Sequence, residues 1–468
     1  MKLQIGNAHT KVEGATKADE DAIRLALSYE EKKYSRGKWH CKRKSMYDGR
    51  SGTFMTGLIL QVIRHLKHNN SAFTASDNRQ PFQPSQEVAG LEGIDFGKGI
   101  YDYQGAAVEA GLAKRRGVLK IATGGGKTEC AVALVKALQH PALFLTHRVN
   151  LLYQTAERFA LRWPELEQYN LLGIIGDSQY KPNLVTFSTV QTLDSYLKKK
   201  MCRREVMADL EKYRVLIIDE AHRCGARQFQ TVAKMMVNAD YRIGLSATPF
   251  VKTPYENLCL QGITGGVIFE ITASELIKRG VLAKPFFKFV EIREPGMANL
   301  KHWLDVYEQG IVRNQVRNEA VVTAALQLIK MNKKPLVIVQ YIEHMEILEK
   351  MLLAAGVRPK VASGVMGSEE RARSLKQLGS GRIDTIVCTS IFDEGIDVKE
   401  VGGVVMAAGT KSAPAFFQRT GRAIRKKEND NRAVVIDFMD YQHPMLTKHS
   451  RRRLDLVRSE NEFELLDK

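Results

Sequence analysis

The sequence predicts an α/β protein with two tandem lobes, each built on a parallel β-sheet. Short apolar runs recur along the chain, and stretches with helical periodicity separate them. Unbroken apolar strands between helices are typical of parallel sheets that helices cover on both faces. The predicted strands fall into two series, at residues 117–122, 142–145, 184–187, 215–218 and 242–245, and at residues 336–339, 359–362, 384–388, 403–406 and 433–436.

Four regions follow from these patterns. Residues 1–95 predict a small basic α/β domain, residues 96–283 the first lobe, and residues 284–440 the second lobe, which opens with a hinge at 284–299. Residues 441–468 predict a tail, mostly helical. Within the first region we expect strands at 2–5, 38–44 and 53–55, helices at 18–30 and around 59–66, and a loop or linker at 69–93.

Composition restricts the class of protein. Hydrophobic residues make up 44% of the chain and charged residues 26%, the balance of a globular protein. The sequence has neither an apolar run of roughly 20 residues nor the apolar core of a signal peptide, so we expect no membrane partner. The six scattered cysteines form no CxxC pair, which argues against a zinc site and favours the reducing cytoplasm. We expect a cytoplasmic protein, for which a monomer is plausible.

The charge of the chain indicates its partner. The formal net charge is +18, and such a surplus indicates a polyanion, most often nucleic acid. A solvated, lysine-rich surface explains the same number equally well. The basic cluster Arg451–Arg453 in the tail leaves similar alternatives open: a grip on DNA, a contact with a protein, or a solvated helix face.

A glycine-rich run predicts a phosphate-binding loop. It follows a predicted strand, opens a predicted helix, and reads Thr123, Gly124, Gly125, Gly126, Lys127 and Thr128. Glycines allow a tight turn whose N–H groups and following helix N-terminus hold phosphate oxygens. Lys127 is expected to reach the β- and γ-phosphates of ATP, and Thr128 to ligate Mg²⁺. Ile121 stands where the usual pattern has its first glycine, and we expect it to end the strand.

An acidic pair ends the strand predicted at 215–218. Ligands of open parallel sheets bind at the carboxyl ends of the strands, so Asp219 and Glu220 are expected to face the phosphate loop. Asp219 is placed to hold Mg²⁺, directly or through water. Glu220 is placed to orient and deprotonate the water that attacks ATP.

The run Asp219-Glu220-Ala221-His222 resembles motif II of the DEAH-type superfamily 2 helicases. Further motifs resemble that family and follow in its order: Tyr103-Gln104, Thr146-His147-Arg148, Ser188-Thr189-Val190-Gln191, Ser246-Ala247-Thr248, Val339-Gln340-Tyr341, residues 389–397 and residues 418–425. The resemblance spans about residues 96–440. It implies two RecA-like lobes that clamp ATP and Mg²⁺ between them and move a nucleic acid.

The resemblance also implies a role for each matching residue. Lys127, Glu220, Arg422 and Arg425 are expected to be catalytic, the two arginines serving as fingers that reach the γ-phosphate. ATP contacts are expected from Tyr103, Gln104, residues 123–128, Gly395 and Asp397. Nucleic-acid contacts are expected from His147, Arg148, Ser188, Thr189, Gln191 and Thr389. The residues expected to couple ATP state to strand binding are His222, Ser246, Thr248 and Gln418.

Residues 31–50 carry eight Lys or Arg against two acids, with Tyr34, Trp39 and Tyr47 between them. Basic side chains track phosphates, and aromatic rings stack on bases, although Trp39 and Tyr47 fit a small domain core equally well. We expect nucleic-acid contacts here from Arg36, Lys38, Lys42 and Arg43. The spacing of this region resembles the N-terminal domain of UvsW-type phage helicases, which implies DNA, favoured over RNA, and branched DNA in recombination, replication or repair. A phage protein of this kind works in the host-cell cytoplasm.

Three other functions use the same core. An RNA helicase is compatible with every core motif. The motor of a restriction system is disfavoured because we find no nuclease cluster outside the core. A clamp that uses ATP only as a switch is disfavoured by Glu220 and the two arginines. A metal-centred enzyme is disfavoured because the 11 histidines show no HExxH spacing.

Overall fold

The computed structural model describes residues 1–35, 38–80, 82, 101–294, 297, 299–363, 366, 368–389, 401–409 and 431–466. Contacts divide the chain into two compact units. The first contains Met1–Ala122 and Gly126–Ile271, and the second contains Thr123–Gly125 and Thr272–Lys468. The N-terminal region therefore belongs to the same unit as the sheet that carries the acidic pair.

The N-terminal region contains a four-stranded sheet, a separate two-stranded hairpin and two helices. Its elements are β1 (Lys2–Ile5), β2 (His9–Glu13), α1 (Lys17–Ala26), β3 (Ser28–Ser35), β4 (Lys38–Ser45), β5 (Thr53–Met55), α2 (Ile59–His68) and β6 (Thr74–Asp77). The sheet has the order β5-β2-β1-β6, and β3 pairs only with β4. Thr16 caps α1 in a capping box with Asp19, and apolar residues of both helices form one core with those of the sheet.

Two details of this region differ from the predicted elements. The helix predicted at 18–30 ends at Ala26, because a strand begins at Ser28. The segment predicted as linker contains β6, which pairs in parallel with β1 from Lys2↔Thr74 to Ile5↔Asp77. The sequence pattern does not predict this edge strand because residues such as Thr74 and Ser76 are polar. Its stability comes from backbone pairing and not from apolar side chains.

The rest of the first unit is built on an eight-stranded sheet with the order β10-β9-β11-β8-β12-β13-β7-β14. All neighbours are parallel except β9 and β10. The strands are β7 (Arg116–Ile121), β8 (Ala142–Thr146), β9 (Leu172–Gly176), β10 (Gln179–Lys181), β11 (Val185–Thr189), β12 (Val215–Ile218), β13 (Tyr241–Ser246) and β14 (Val267–Ile271).

Helices cover this sheet. They are α3 (Asp102–Lys114), α4 (Lys127–Leu138), α5 (Val149–Arg162), α6 (Glu165–Gln168), α7 (Val190–Lys198), α8 (Lys200–Lys212), α9 (Arg227–Met235) and α10 (Pro254–Thr264). Every residue of β8, β11, β12 and β13 is buried, as the unbroken apolar runs predict. The edge strands β10 and β14, and β9 beside β10, were not predicted.

The second unit is built on a seven-stranded, all-parallel sheet with the order β17-β18-β16-β19-β20-β15-β21. Its elements are α11 (Ala273–Lys278), β15 (Lys284–Ile292), α12 (Trp303–Tyr307), a π-helix (Glu308–Val312), α13 (Gln315–Lys330), β16 (Pro335–Ile338), α14 (Ile342–Ala354), β17 (Pro359–Ala362), α15 (Ser368–Gly379), β18 (Thr385–Cys388), β19 (Gly403–Val405), β20 (Arg432–Asp440), α16 (Pro444–Arg458) and β21 (Glu464–Leu465).

Two predictions for this unit need correction. Residues 284–292, predicted as part of a hinge, form β15, which pairs with β20 over its whole length. The tail is helical as predicted, but its basic cluster is not uniform. Arg453 is 2% exposed and donates to Asp437, whereas Arg451 is exposed. Arg453 is therefore a structural residue of the second sheet.

The eight-stranded and seven-stranded sheets both have parallel strands at their centres, and helices pack against them. This is the predicted α/β class. Within the described part of the chain, no helix combines the length and apolarity that a bilayer crossing needs.

Candidate nucleotide and nucleic-acid site

The phosphate loop lies between β7 and α4, in the strand-to-helix setting that the sequence predicts. Ile121 is buried and ends β7. Gly124 and Gly126 adopt left-handed backbone conformations, with φ of +86° and +81°, and α4 begins at Lys127. Glycine is favoured at such positions because it has no Cβ. The first N–H groups of α4 therefore lie at the end of a tight turn, where a phosphate can bind.

Gln104 on α3 lies against this loop. A Cβ at Gly126 would come within 2.3 Å of Gln104 Nε2, so the loop approaches the amide as closely as glycine permits. Gln104 is therefore next to the place where a nucleotide would bind, as predicted. Tyr103 is only 4% exposed, and its ring belongs to the core. The expectation that Tyr103 itself contacts ATP needs correction, because its ring is enclosed by protein.

The acidic pair lies at the carboxyl end of β12. Asp219 Oδ1 accepts a hydrogen bond from the Glu220 backbone N–H at 2.9 Å. Glu220 has φ of +46°, which is costly for a residue with a side chain. Such strain is often found at functional sites, where surrounding contacts maintain it. The turn therefore fixes Glu220 in a conformation that an unconstrained chain would avoid.

The environment of Glu220 keeps its carboxylate charged. Burial alone would raise its pKa, but the hydrogen bond from His222 and the charges of Lys127, His222 and His147 lower it below the ordinary value. Lys127 and Glu220, predicted from motifs far apart in the chain, are therefore near enough to influence each other. A charged carboxylate can accept a hydrogen bond from water and orient it.

His222 joins the acidic pair to the end of β13. Its Nδ1 lies 3.3 Å from Glu220 Oε2 and 3.2 Å from Ser246 Oγ. The Thr248 backbone N–H donates to Ser246 Oγ at 3.2 Å. The structure thus brings together three of the four residues predicted to couple ATP state to strand binding. Because the imidazole ring of His222 contacts both residues, a displacement of Glu220 would also affect Ser246.

The oxygen donors at this site fit a magnesium ion. Thr128 offers a hydroxyl in the first turn of α4, and Asp219 offers a carboxylate at the end of β12. Mg²⁺ prefers hard oxygen ligands and usually takes few from the protein, completing its shell with phosphate oxygens and water. No group of three or more His, Cys, Asp or Glu side chains able to hold a metal occurs among the described residues.

The two predicted nucleic-acid motifs of the first lobe are in contact. Gln191, exposed at the start of α7, donates to the carbonyl of His147 at 3.1 Å. Arg148 occupies the N-cap position of α5, without a capping hydrogen bond from its side chain. The predicted contact by Ser188 is wrong, because its hydroxyl is buried and donates to the Ile175 carbonyl at 2.8 Å. Thr189 is almost fully buried and caps α7.

The β3–β4 hairpin presents the predicted basic residues to solvent. Lys38, Lys42 and Arg43 are exposed on β4. Trp39 is 72% exposed, so it is not a core residue. Tyr47 is 5% exposed and packs in the core, with the Arg24 guanidinium 5.1 Å from its ring centre. The sequence left open whether Trp39 and Tyr47 are core residues. In the structure Trp39 is exposed and Tyr47 belongs to the core.

Six predicted site residues lie outside the described residues: Arg36, Gly395, Asp397, Gln418, Arg422 and Arg425. Thr389 follows β18, and its backbone N–H donates to Ala362 at 3.2 Å. Gln230 and Tyr255, whose side chains contact each other, were not among the predicted site residues. No motif marks them, because this contact arises only when the fold brings α9 and α10 together.

Comparisons with known proteins agree with this geometry. Residues 98–251 match the family described as type III restriction enzyme, res subunit, and residues 318–427 match the helicase conserved C-terminal domain. A fragment of an HsdR subunit of a type I restriction enzyme from Vibrio vulnificus YJ016 shares the fold, with a TM-score of 0.59 at 16% identity. That alignment covers 94% of this chain and 91% of the fragment.

Three relatives share most of the core. The DNA 3'-5' translocase XPB2 of Sulfurisphaera tokodaii is 23% identical, with 73% of this chain and 81% of that protein covered. The ATP-dependent DNA helicase uvsW of Enterobacteria phage T4 is 23% identical, with 72% and 68% covered. A helicase of the Sulfolobus islandicus filamentous virus is 25% identical over 74% of this chain, which spans only 64% of that relative. With both conserved halves of the core present in order, the chain belongs to the superfamily 2 helicases, a family of ATP-dependent enzymes.

Proposed function

We propose that this chain is an ATP-driven DNA helicase or translocase that acts on branched DNA, such as forks and four-way junctions. The observation that carries the proposal is the linked set formed by Lys127, Glu220, His222 and Ser246. It joins the phosphate loop to the end of β13, so that a change at the nucleotide can be transmitted to the rest of the lobe.

In the proposed reaction, the phosphate loop and Lys127 hold the β- and γ-phosphates of ATP. Glu220 orients the attacking water and accepts its proton. Thr128 and Asp219 would hold Mg²⁺, which neutralises charge that develops on the phosphates. Arg422 and Arg425 from the second lobe complete the site, so hydrolysis requires the two lobes to close. Release of phosphate then lets them open, and the repeated cycle moves the strand.

Two features favour DNA as the partner. The relatives from Sulfurisphaera and from phage T4 are both named as DNA enzymes. Lys38 and Lys42 lie on one face of the exposed strand β4 and Arg43 lies on the other, so both faces of this strand carry basic side chains that suit a phosphate backbone. Branched DNA is favoured because this basic hairpin belongs to the region whose spacing resembles UvsW-type helicases.

The test is one ATPase assay with single-stranded DNA, duplex DNA, fork DNA, a four-way junction and single-stranded RNA. We expect the junction and the fork to stimulate hydrolysis most. Lys127→Ala, which removes the phosphate contact, is the negative control and should show no turnover with any of them. Stronger stimulation by RNA than by every DNA would reject DNA as the substrate, and equal stimulation by all DNAs would reject the preference for branches.

A further inference from the structure

The hairpin formed by β3 and β4 is a sheet of its own. Within the described part of the chain, its strands pair only with each other, from Ser28↔Ser45 to Ser35↔Lys38. Residues 38–43 on β4 are all exposed. At its base, the Tyr29 ring lies 5.0 Å from the Tyr255 ring of α10, centre to centre. The hairpin is therefore attached at one end and exposed to solvent along β4.

Trp39 is the outstanding side chain of this exposed strand. It is 72% exposed, although burying a ring of this size would stabilise a fold by several times the thermal energy. The indole lies on the same strand face as Arg43, and Lys38 and Lys42 lie on the opposite face. Such a strand suits nucleic acid, because the cations attract phosphates and the ring stacks on a base. In a continuous duplex, each base face is covered by the next base pair. A stacking tryptophan therefore requires an unpaired base or a terminal pair, both of which occur where a duplex forks.

A chain of contacts connects the base of the hairpin to the acidic pair. The Gln230 amide donates to Tyr255 Oη at 3.0 Å and to the carbonyl of Gly225 at 3.0 Å. Gly225 belongs to the turn that follows His222, and a Cβ there would come within 2.3 Å of the Glu256 side chain on α10. The turn behind the acidic pair is thus held tightly by α9 and α10. A movement of this turn would reach Tyr255, and through it Tyr29.

We propose that the β3–β4 hairpin is a DNA contact in which Trp39 stacks on the exposed base at a junction of paired and unpaired DNA, and that Gln230 and Tyr255 couple this grip to the acidic pair. The inference rests on the proposed function, since it names how the same motor would recognise a branch. In this proposal Trp39 contacts the DNA, and Gln230 and Tyr255 are positioning residues.

The stacking is tested with fork DNA that carries 2-aminopurine at the branch point. Binding of the unaltered protein should quench this base by stacking. Trp39→Ala should abolish the quench and weaken fork binding about five- to hundredfold, the range found when a stacking aromatic is removed. Trp39→Phe should retain most of both. The matched control is Tyr169→Ala, which removes an aromatic ring that is 64% exposed elsewhere on the same unit. A Trp39→Ala protein that quenches and binds like the unaltered one overturns the stacking.

The coupling is tested by measuring fork affinity with and without a non-hydrolysable ATP analogue. Tyr255→Phe removes the oxygen that Gln230 contacts and keeps the ring against Tyr29. We expect it to leave the nucleotide-free affinity within about twofold and to reduce the effect of the analogue. The control is Tyr153→Phe, which loses a contact with Asp177 at 3.2 Å elsewhere. A full analogue effect in Tyr255→Phe, or none in the unaltered protein, overturns the coupling. These readouts measure binding, so they stand apart from an ATPase assay that rejects the proposed function.

Discussion

Glu220, the proposed general base, has an unfavourable backbone conformation. Its left-handed backbone and its contact with His222 fix the carboxylate near the phosphate loop. Glu220→Gln keeps the size of the side chain but cannot accept a proton. We expect ATP turnover to fall about 10²–10⁴-fold, with ATP binding and the melting temperature unchanged. Phosphate release in single-turnover conditions measures it, and turnover within tenfold of the original would exclude this residue as the base.

Arg453 shows that neighbouring residues of one basic cluster can differ in kind. Its guanidinium donates to Asp437 at 2.7 Å and to the Phe438 carbonyl at 3.1 Å in the core. Arg453→Ala would leave that carboxylate buried without its cation, which typically costs about 3–5 kcal/mol. The exposed Arg451→Ala is the matched control and should change the free energy of unfolding by at most about 0.5 kcal/mol. Urea unfolding of both variants gives the comparison, and equal effects would contradict the structural assignment.

At the residue scale, the motifs predicted where a residue lies in the fold better than whether its side chain is buried or exposed. They predicted that Lys127, Glu220 and Ser246 lie near one another, and these residues do so because β7, β12 and β13 are parallel strands of one sheet whose carboxyl ends meet at the same edge. They failed at Ser188, which a local pattern cannot distinguish from its exposed neighbour Gln191. The difference depends on which side chains face the sheet core, and only the packed structure determines that.

Gly57 in the N-terminal region packs closely against α10 of the first unit. A Cβ at Gly57 would lie 2.0 Å from the carbonyl oxygen of Gln261, a backbone atom that cannot turn aside. Gly57→Ala should therefore destabilise the first unit by about 1–3 kcal/mol. Gly266→Ala is the control, because no atom lies within 4 Å of the added Cβ. Chemical unfolding of the two variants tests this, and similar midpoints would show that the contact is relaxed.

The pairing of α13 and α14 predicts a pH dependence of stability. His344 on α14 is fully buried with its Nε2 2.8 Å from Asn318 Oδ1, and burial, with the nearby charge of Arg317, lowers the pKa of His344 to about 3. The unfolded chain binds this proton near pH 6.5 and the folded chain does not. Stability is therefore complete above about pH 6.5 and is lost as the pH falls towards 3.

The size of this effect follows from one proton. Between pH 7 and pH 5 the loss from His344 should be about 2 kcal/mol. His344→Gln, which cannot bind the proton, should be less stable at pH 7 but should lose about that much less on acidification. Urea unfolding at the two pH values measures the difference. An identical loss in both proteins would mean that His344 does not titrate as its burial implies.

Central strands were more predictable than most strands near the sheet edges. β12 has the predicted bounds, because central strands of a parallel sheet must be apolar on both faces, and the edge strand β17 also has them. β15 was assigned to a hinge although Phe286, Phe287 and Phe289 suit a strand. Its pairing with β20 is a long-range contact that the local sequence does not show.

At the scale of the whole molecule, the proposed motor depends on residues from both lobes. Arg422 and Arg425 lie in the segment matched by the helicase C-terminal domain, while Lys127 and Glu220 lie in the first half. Arg422→Ala should keep ATP binding and lower turnover about 10³–10⁵-fold. The reason is that the substitution removes the guanidinium that would stabilise the negative charge of the transition state. Lys427→Ala, a neighbouring basic residue, is the control and should remain active. Equal losses in both would point to general basicity of the segment.

The position of α10 has a practical consequence for the N-terminal region. Met55 belongs to the core of the first large sheet, and Gly57 and Tyr29 rest against α10. A cut after residue 95 would uncover this apolar seam on both pieces. The N-terminal region is therefore not an independent module. Transferring it to another enzyme would require α10 as well. Lineages that exchanged this region would have had to exchange or re-fit that helix at the same time.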